Sequence, residues 1–163
     1  MLDNLLFPDS LLTHRGVIMR RLAFIIDELK CEDPKYDQSV SLVLRALSNY
    51  ASVGFDGQSF AIKISNPRMS DAASRLRRLL NDDREWAADT INEHPYPLRS
   101  LWDSWLSNVY LITPSKIWED LVSFPMITIT KEEDARLRKL DKSLSNTPQE
   151  RYKAAGIVLT RNL

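Results

Sequence analysis

Glu85, Asp89 and Glu93 recur at intervals of four, with His94 next in the chain, and so bring together side chains able to hold a metal ion or move a proton. On a continuous helix, residues four apart share a face, and stacked carboxylates raise one another's pKa values. That arrangement offers ligands to a divalent cation, or an acid and a base to a substrate. The same spacing also describes a solvated acidic face paired with Arg78 and Arg84. The plainer reading is preferred, because surface helices ordinarily turn charged residues to water.

Other reactive side chains are sparse. His14, His94 and Cys31 are the only histidines and the only thiol, so a zinc site would need all three or carboxylates from distant segments. Glu32 and Asp33 flank Cys31 and disfavour its thiolate, which weakens it as a nucleophile. The chain has no glycine-rich phosphate loop, no G-x-S-x-G, no H-E-x-x-H and no acidic calcium loop. No catalytic residue, metal site or cofactor is therefore assigned, and a non-enzymatic protein is expected.

Arginines offer a different chemistry. Arg75, Arg77 and Arg78, with Arg68 upstream and Arg136, Arg138 and Lys139 downstream, supply what phosphate contacts require. Nucleic-acid binding through the basic helix around Arg75 and Arg78 is thus the alternative function. Against it, Asn81-Asp82-Asp83 puts acids where an edge facing DNA wants none. Net charge is zero, with 22 basic and 22 acidic side chains, which removes the signature of a general nucleic-acid binder. Charge is nevertheless segregated: residues 61–80 balance at +4, residues 81–120 at −5 and residues 131–163 at +3. A basic patch can exist if these blocks fold to different faces.

These side chains must be positioned by helices. In residues 96–110, Leu98, Leu101, Trp102, Trp105, Leu106 and Val109 fall at the spacing of one helical face, with Arg99, Ser100, Asp103, Ser107 and Asn108 opposite. Trp86 and Trp118 lie nearby in sequence, so the core is expected around this helix. Trp102, Trp105 and Trp118 are also the candidate partner anchors, since tryptophan is enriched where interfaces concentrate their binding energy. Residues 11–29 carry a wide apolar stripe of Leu11, Leu12, Ile18, Met19, Leu22, Ile25, Ile26 and Leu29, capped by Asp9 or Ser10. That helix is read as either central or half of a homodimer contact. Cys31-Glu32-Asp33-Pro34 ends it, and a second helix over residues 37–51 completes a hairpin.

Phe60, Ile62 and Ile64 alternate with smaller or polar residues and predict a short strand over 60–65. Ser70 caps the next helix, with Ala73, Leu76, Leu79 and Leu80 inward and the arginines outward; it either runs on or breaks before a helix over 84–92. Met126-Ile127-Thr128-Ile129-Thr130 predicts a second strand that could pair with the first. Thr130 with Glu133, and Thr147 with Glu150, form two capping boxes. The helices they start have narrow stripes, Leu137, Leu140 and Leu144 in one and Tyr152, Ala155 and Leu159 in the other, and are expected on the outside or against a partner.

Length and composition set the class. One domain over residues 1–163 is expected from the length, and mainly α from only 4 glycines. The expected fold is a bundle of about six to eight helices, with one small two-stranded element. No secretory signal is read at the N-terminus, and the longest helix carries too many charges to enter a membrane. A single cysteine agrees with a reducing, cytoplasmic location. Absent catalytic motifs, separated charge blocks and broad apolar stripes together point to an adaptor, inhibitor or subunit that binds a protein partner.

Overall fold

The computed structural model describes residues 7–140 and 147–160; there, nine α-helices and one two-stranded antiparallel sheet make up the regular structure. The class is mainly α with one small β element, as expected. The chain divides into two compact units, Met1–Gly57 with Pro97–Pro125 and Gln58–Tyr96 with Met126–Leu163.

In the first unit, a 3-10 turn over Asp9–His14 leads into α1 (Arg15–Lys30). Neither Asp9 nor Ser10 caps it: the turn starts at Asp9 itself, and the Pro8 carbonyl accepts the Leu11 N–H at 2.8 Å. Ile18, Leu22, Ile25 and Leu29 are buried, and α1 packs on α2 (Gln38–Val53) and α7 (Pro114–Ser123). Of the wide stripe, Leu11 and these four residues are buried, Met19 and Ile26 are half-buried, and Leu12 is 53% exposed. Asp37 caps α2 by accepting from Val40 N–H at 2.9 Å. Gly54 ends it at φ +85°, a left-handed conformation that glycine adopts without steric cost.

Pro97 precedes α6 (Leu98–Ser107), and Thr113 caps α7 by accepting from Lys116 N–H at 3.2 Å. Trp102, Trp105 and Trp118 are all buried. The Trp105 indole N–H donates to Asp120 Oδ2 at 2.9 Å, and Trp118 meets Phe7 edge-on at 5.2 Å between centroids. Burying a large apolar side chain is worth about 1.5–3 kcal/mol, and these rings and the α1 stripe share this unit's core with Val40, Leu44 and Leu47 of α2 and Ile117 and Leu121 of α7.

The second unit is built around extended chain. Strand β1 (Thr90–Glu93) pairs with β2 (Ile127–Thr130) in the register Thr90↔Thr130 to Glu93↔Ile127. The other side of β2 meets residues 68–70: Thr128 N–H donates to Arg68 O at 2.9 Å, and Ser70 N–H to Thr128 O at 3.0 Å. That segment is bonded in turn to the C-terminal stretch, through Asp71 N–H to Val158 O at 2.8 Å and Thr160 N–H to Met69 O at 3.1 Å. Helices α3 (Ser59–Ser65), α4 (Asp71–Leu80), α5 (Asp83–Ala88), α8 (Lys131–Lys139) and α9 (Pro148–Ala154) belong to this unit. Ile127, Ile129, Leu137, Tyr152, Ala155 and Ile157 form its core, with Ile91, Leu140 and Leu159 against it.

Several expectations are corrected here. Residues 60–65 are helical, not a strand: Phe60 is exposed, Ile62 is buried, and the Lys63 ammonium donates to the carbonyls of Ala87 and Thr90, each at 2.6 Å. Three alternating residues are too few to separate period two from period 3.6, and here tertiary contacts decide. The partner of the 127–130 strand is Thr90–Glu93, expected as helix. Asp89 ends α5, and the β-branched Thr90 and Ile91 continue as strand. Both capping boxes form, and their helices bury only a narrow stripe, Leu137 in α8 and Tyr152 in α9, with Ala155 following, as their patterns predict. Leu144 lies outside the described residues. Trp86 belongs to the second unit, where its indole N–H donates to Ala73 O at 2.9 Å.

Candidate protein-docking groove

Two helix starts are joined by one carboxylate. Ser70 caps α4, its hydroxyl accepting from Ala73 N–H at 3.0 Å, and the same hydroxyl donates to Glu133 Oε2 at 2.6 Å. Glu133 closes the capping box of α8: its carboxylate accepts from Thr130 N–H at 2.9 Å while its own N–H donates to Thr130 Oγ1 at 3.1 Å. A buried carboxylate is tolerated when it accepts hydrogen bonds, and Glu133 Oε2 accepts from the Ser70 hydroxyl, the Thr130 N–H and the Thr130 hydroxyl. The result fixes the first turns of α4 and α8 beside each other.

A groove of about 420 Å³ lies there. Ala72, Arg75, Leu76 and Leu79 line it from α4, residues 130–133 with Arg136 from the α8 side, and Asp89 from the end of α5, where its carbonyl accepts the Lys131 N–H at 2.9 Å. Leu79 was expected inward with Leu76 and Leu80, but it is 81% exposed. Ala73 takes the buried position of α4, and a residue six further on points well around the helix from it. Of the acids in the groove, Glu132 pairs with Arg136 at 3.3 Å and Glu133 is held as above. Among the described residues, Arg75 and Lys131 have no carboxylate within 4.0 Å. Burial, then the nearby Lys131 charge, holds the Lys63 ammonium below the usual lysine range.

The basic candidates separate into two groups. Arg75 and Arg136 line the same groove, while Arg78 and Lys139 are exposed. Arg77 pairs with Asp83 at 2.9 Å and lies 4.7 Å over the Trp86 ring. Arg138 pairs with Asp134 at 2.8 Å, Arg136 also donates to Ala155 O at 2.8 Å, and Arg68 is half-buried. Trp102, Trp105 and Trp118, the candidate partner anchors, pack inside the first unit. Indoles buried this way act on a partner only by holding the surface above them.

The acidic trio is dispersed. Glu85 is on α5, Asp89 caps it, and Glu93 is on β1, so the shared helix face does not exist. Among the described residues, no group of three His, Cys, Asp or Glu side chains could hold a metal ion. Glu93 instead accepts from the Tyr152 hydroxyl, with Arg151 at 3.7 Å, and its side chain is 11% exposed. Burial pushes its pKa up to about 7, against the opposing pull of the Tyr152 hydrogen bond and Arg151, with Asp134 adding to the rise.

The Ser70–Glu133 and Glu93–Tyr152 contacts, which set up the groove and anchor α9, had no local signal beyond the capping boxes themselves. Comparison with family models, with curated proteins and with solved structures gives no significant match to this chain.

Proposed function

We propose that this chain is a non-enzymatic protein-interaction module, an adaptor, inhibitor or subunit that binds a protein partner through the groove between α4 and the start of α8. The observation that carries the reading is Leu79, 81% exposed at a groove whose walls mix leucine with charge. Large exposed apolar side chains beside a concave surface are what partner proteins cover. The exposed thiol of Cys31 fits work in a reducing, cytoplasmic setting.

A photo-crosslinking residue at position 79 tests this in cells, with position 42 on α2, also an exposed leucine, as the control. A discrete adduct at 79 and none at 42 is the expected result. Equal, diffuse labelling at both would overturn it. Nucleic-acid binding is the second reading, supported by exposed Arg75 and Arg78. It is the weaker one, because Arg77, Arg136 and Arg138 are already in ion pairs within the chain. A salt-dependent gel shift lost on replacing Arg75 and Arg78 would favour it over the protein partner.

A further inference from the structure

We infer that Glu93 is a pH-operated latch on the C-terminal arm, residues 147–160, which holds α9 in place while its carboxyl carries a proton and loosens it once the proton leaves. The latch lies within the second unit and is independent of what the groove receives.

Three elements converge on this one carboxyl. Glu93 ends β1, and its side chain is 11% exposed. From α9, the Tyr152 hydroxyl donates to Oε2, and Arg151 Nη2 stands 3.7 Å from Oε1. Nη1 of the same guanidinium donates to Pro95 O at 3.0 Å, so Arg151 is divided between two oxygens. From α8, Asp134 brings a second negative charge, itself paired with Arg138 at 2.8 Å. His94 follows Glu93 in the chain.

This geometry sets the direction of the switch. A buried carboxylate repays its lost hydration only through a close, well-aligned cation. Here the cation stands beyond hydrogen-bond distance and another acid faces the site, so the ionised form is the costly one. Ionisation draws water toward the charge. Strand β1 is fixed in its ladder with β2, whereas α9 is seven residues long and supplies both Arg151 and Tyr152, so the helix is the part that lifts. The rest of the arm follows it, since Arg136 Nε to Ala155 O, Asp71 N–H to Val158 O and Thr160 N–H to Met69 O hold only the residues just beyond α9.

Amide hydrogen exchange of the whole protein at pH 6 and pH 8, each rate corrected for its intrinsic pH dependence, tests the latch. The amides of Ile157 and Thr160, bonded to Tyr152 O and Met69 O, should open about tenfold more often at pH 8, the ratio implied by a carboxyl pKa of about 7 in place and 4.5 when free. Ser74 in α4 and Thr128 in β2 should keep their protection. In E93Q the rise should vanish; in Y152F, which removes a donor favouring the charged form, it should move to higher pH. Circular dichroism verifies that both variants fold. A rise that persists in E93Q belongs to another group, His94 included, and would overturn the latch. A rise unmoved in Y152F, an equal quickening at Ser74 and Thr128, or unchanged protection of the wild-type arm would overturn it too.

Discussion

The first unit is held by rings and aliphatic side chains whose spacing along single helices already aligns them. The second adds to its apolar core polar side chains that reach across the sequence. In the first, Ile18, Leu22, Ile25 and Leu29 lie on one helix, and the half-buried hydrogen bond from Trp105 to Asp120 spans 15 residues. In the second, Asn66 donates to Met126 O across 60 residues, Ser70 to Glu133 across 63, and Tyr152 to Glu93 across 59. Apolar packing tolerates adjustment, because one hydrocarbon contact replaces another; a buried hydrogen bond that loses its partner leaves a desolvated polar group. The second unit is therefore the more sharply specified of the two, and it carries the groove.

The outer surfaces differ in the same way. The first unit's most exposed apolar residues, Tyr110 at 97% and Leu111 at 78%, stand on a 3-10 turn. The second unit's Leu79 borders a groove with charged walls. An apolar knob attracts many surfaces weakly, while a groove that sets leucines among charges of both signs discriminates.

The largest expected effect breaks the apolar side of the comparison. Trp105→Ala should cost about 3–5 kcal/mol by denaturant unfolding, since it removes a buried indole and its hydrogen bond to Asp120, which keeps Lys116 as its partner. A loss under about 1 kcal/mol would mean the first unit's core lies elsewhere.

Next comes a dependence on pH that belongs to the second unit. Glu93 has a folded pKa of about 7 against 4.5 when free of the fold, so between those values the native chain binds more protons than the unfolded one. Stability from this group is fully present below about pH 4.5 and falls as pH rises through about 7, by roughly 3 kcal/mol in all. Tyr152 stays protonated across that range, because burial and then the neighbouring Glu93 charge push its phenol up. Glu93→Gln should flatten the slope relative to the wild type, which denaturation series at matched pH values would measure; an unchanged slope would assign it to another group.

A smaller effect sharpens the contrast. Asn66→Ala removes the donor to Met126 O at 3.1 Å and to Thr128 Oγ1 at 3.2 Å, and the acceptor of Arg68 N–H at 3.1 Å. A loss of about 2 kcal/mol is expected from such an uncoupled buried network, with hydrogen exchange quickened at Thr128 and Ser70 before any residue of α1.

How much of this was legible in the sequence follows the same division. Helices α1, α2 and α6 were readable because their burial repeats every three or four residues, a pattern contained in each segment alone. Ser70, Thr130 and Thr147 were readable as caps for the same reason. The strand at 127–130 was legible from its β-branched alternation, but its partner was not, since pairing with Thr90–Glu93 is set by contacts some 35 residues distant, as in the 36-residue Thr128–Asn92 bond. Leu79 was misread because both a buried and an exposed leucine satisfy the same pattern on a ten-residue helix. The groove could not be read at all, because the Ser70–Glu133 bond that shapes it joins two capping residues whose meeting no local spacing encodes.

Amide chemical-shift mapping of the isotope-labelled protein, titrated with the partner that the position-79 crosslink captures, tests the docking groove most directly. The account predicts that the largest perturbations fall within residues 72–79 and 130–136, the two walls of the groove. Perturbations centred instead on Val109–Leu111, with α4 unmoved, would contradict it.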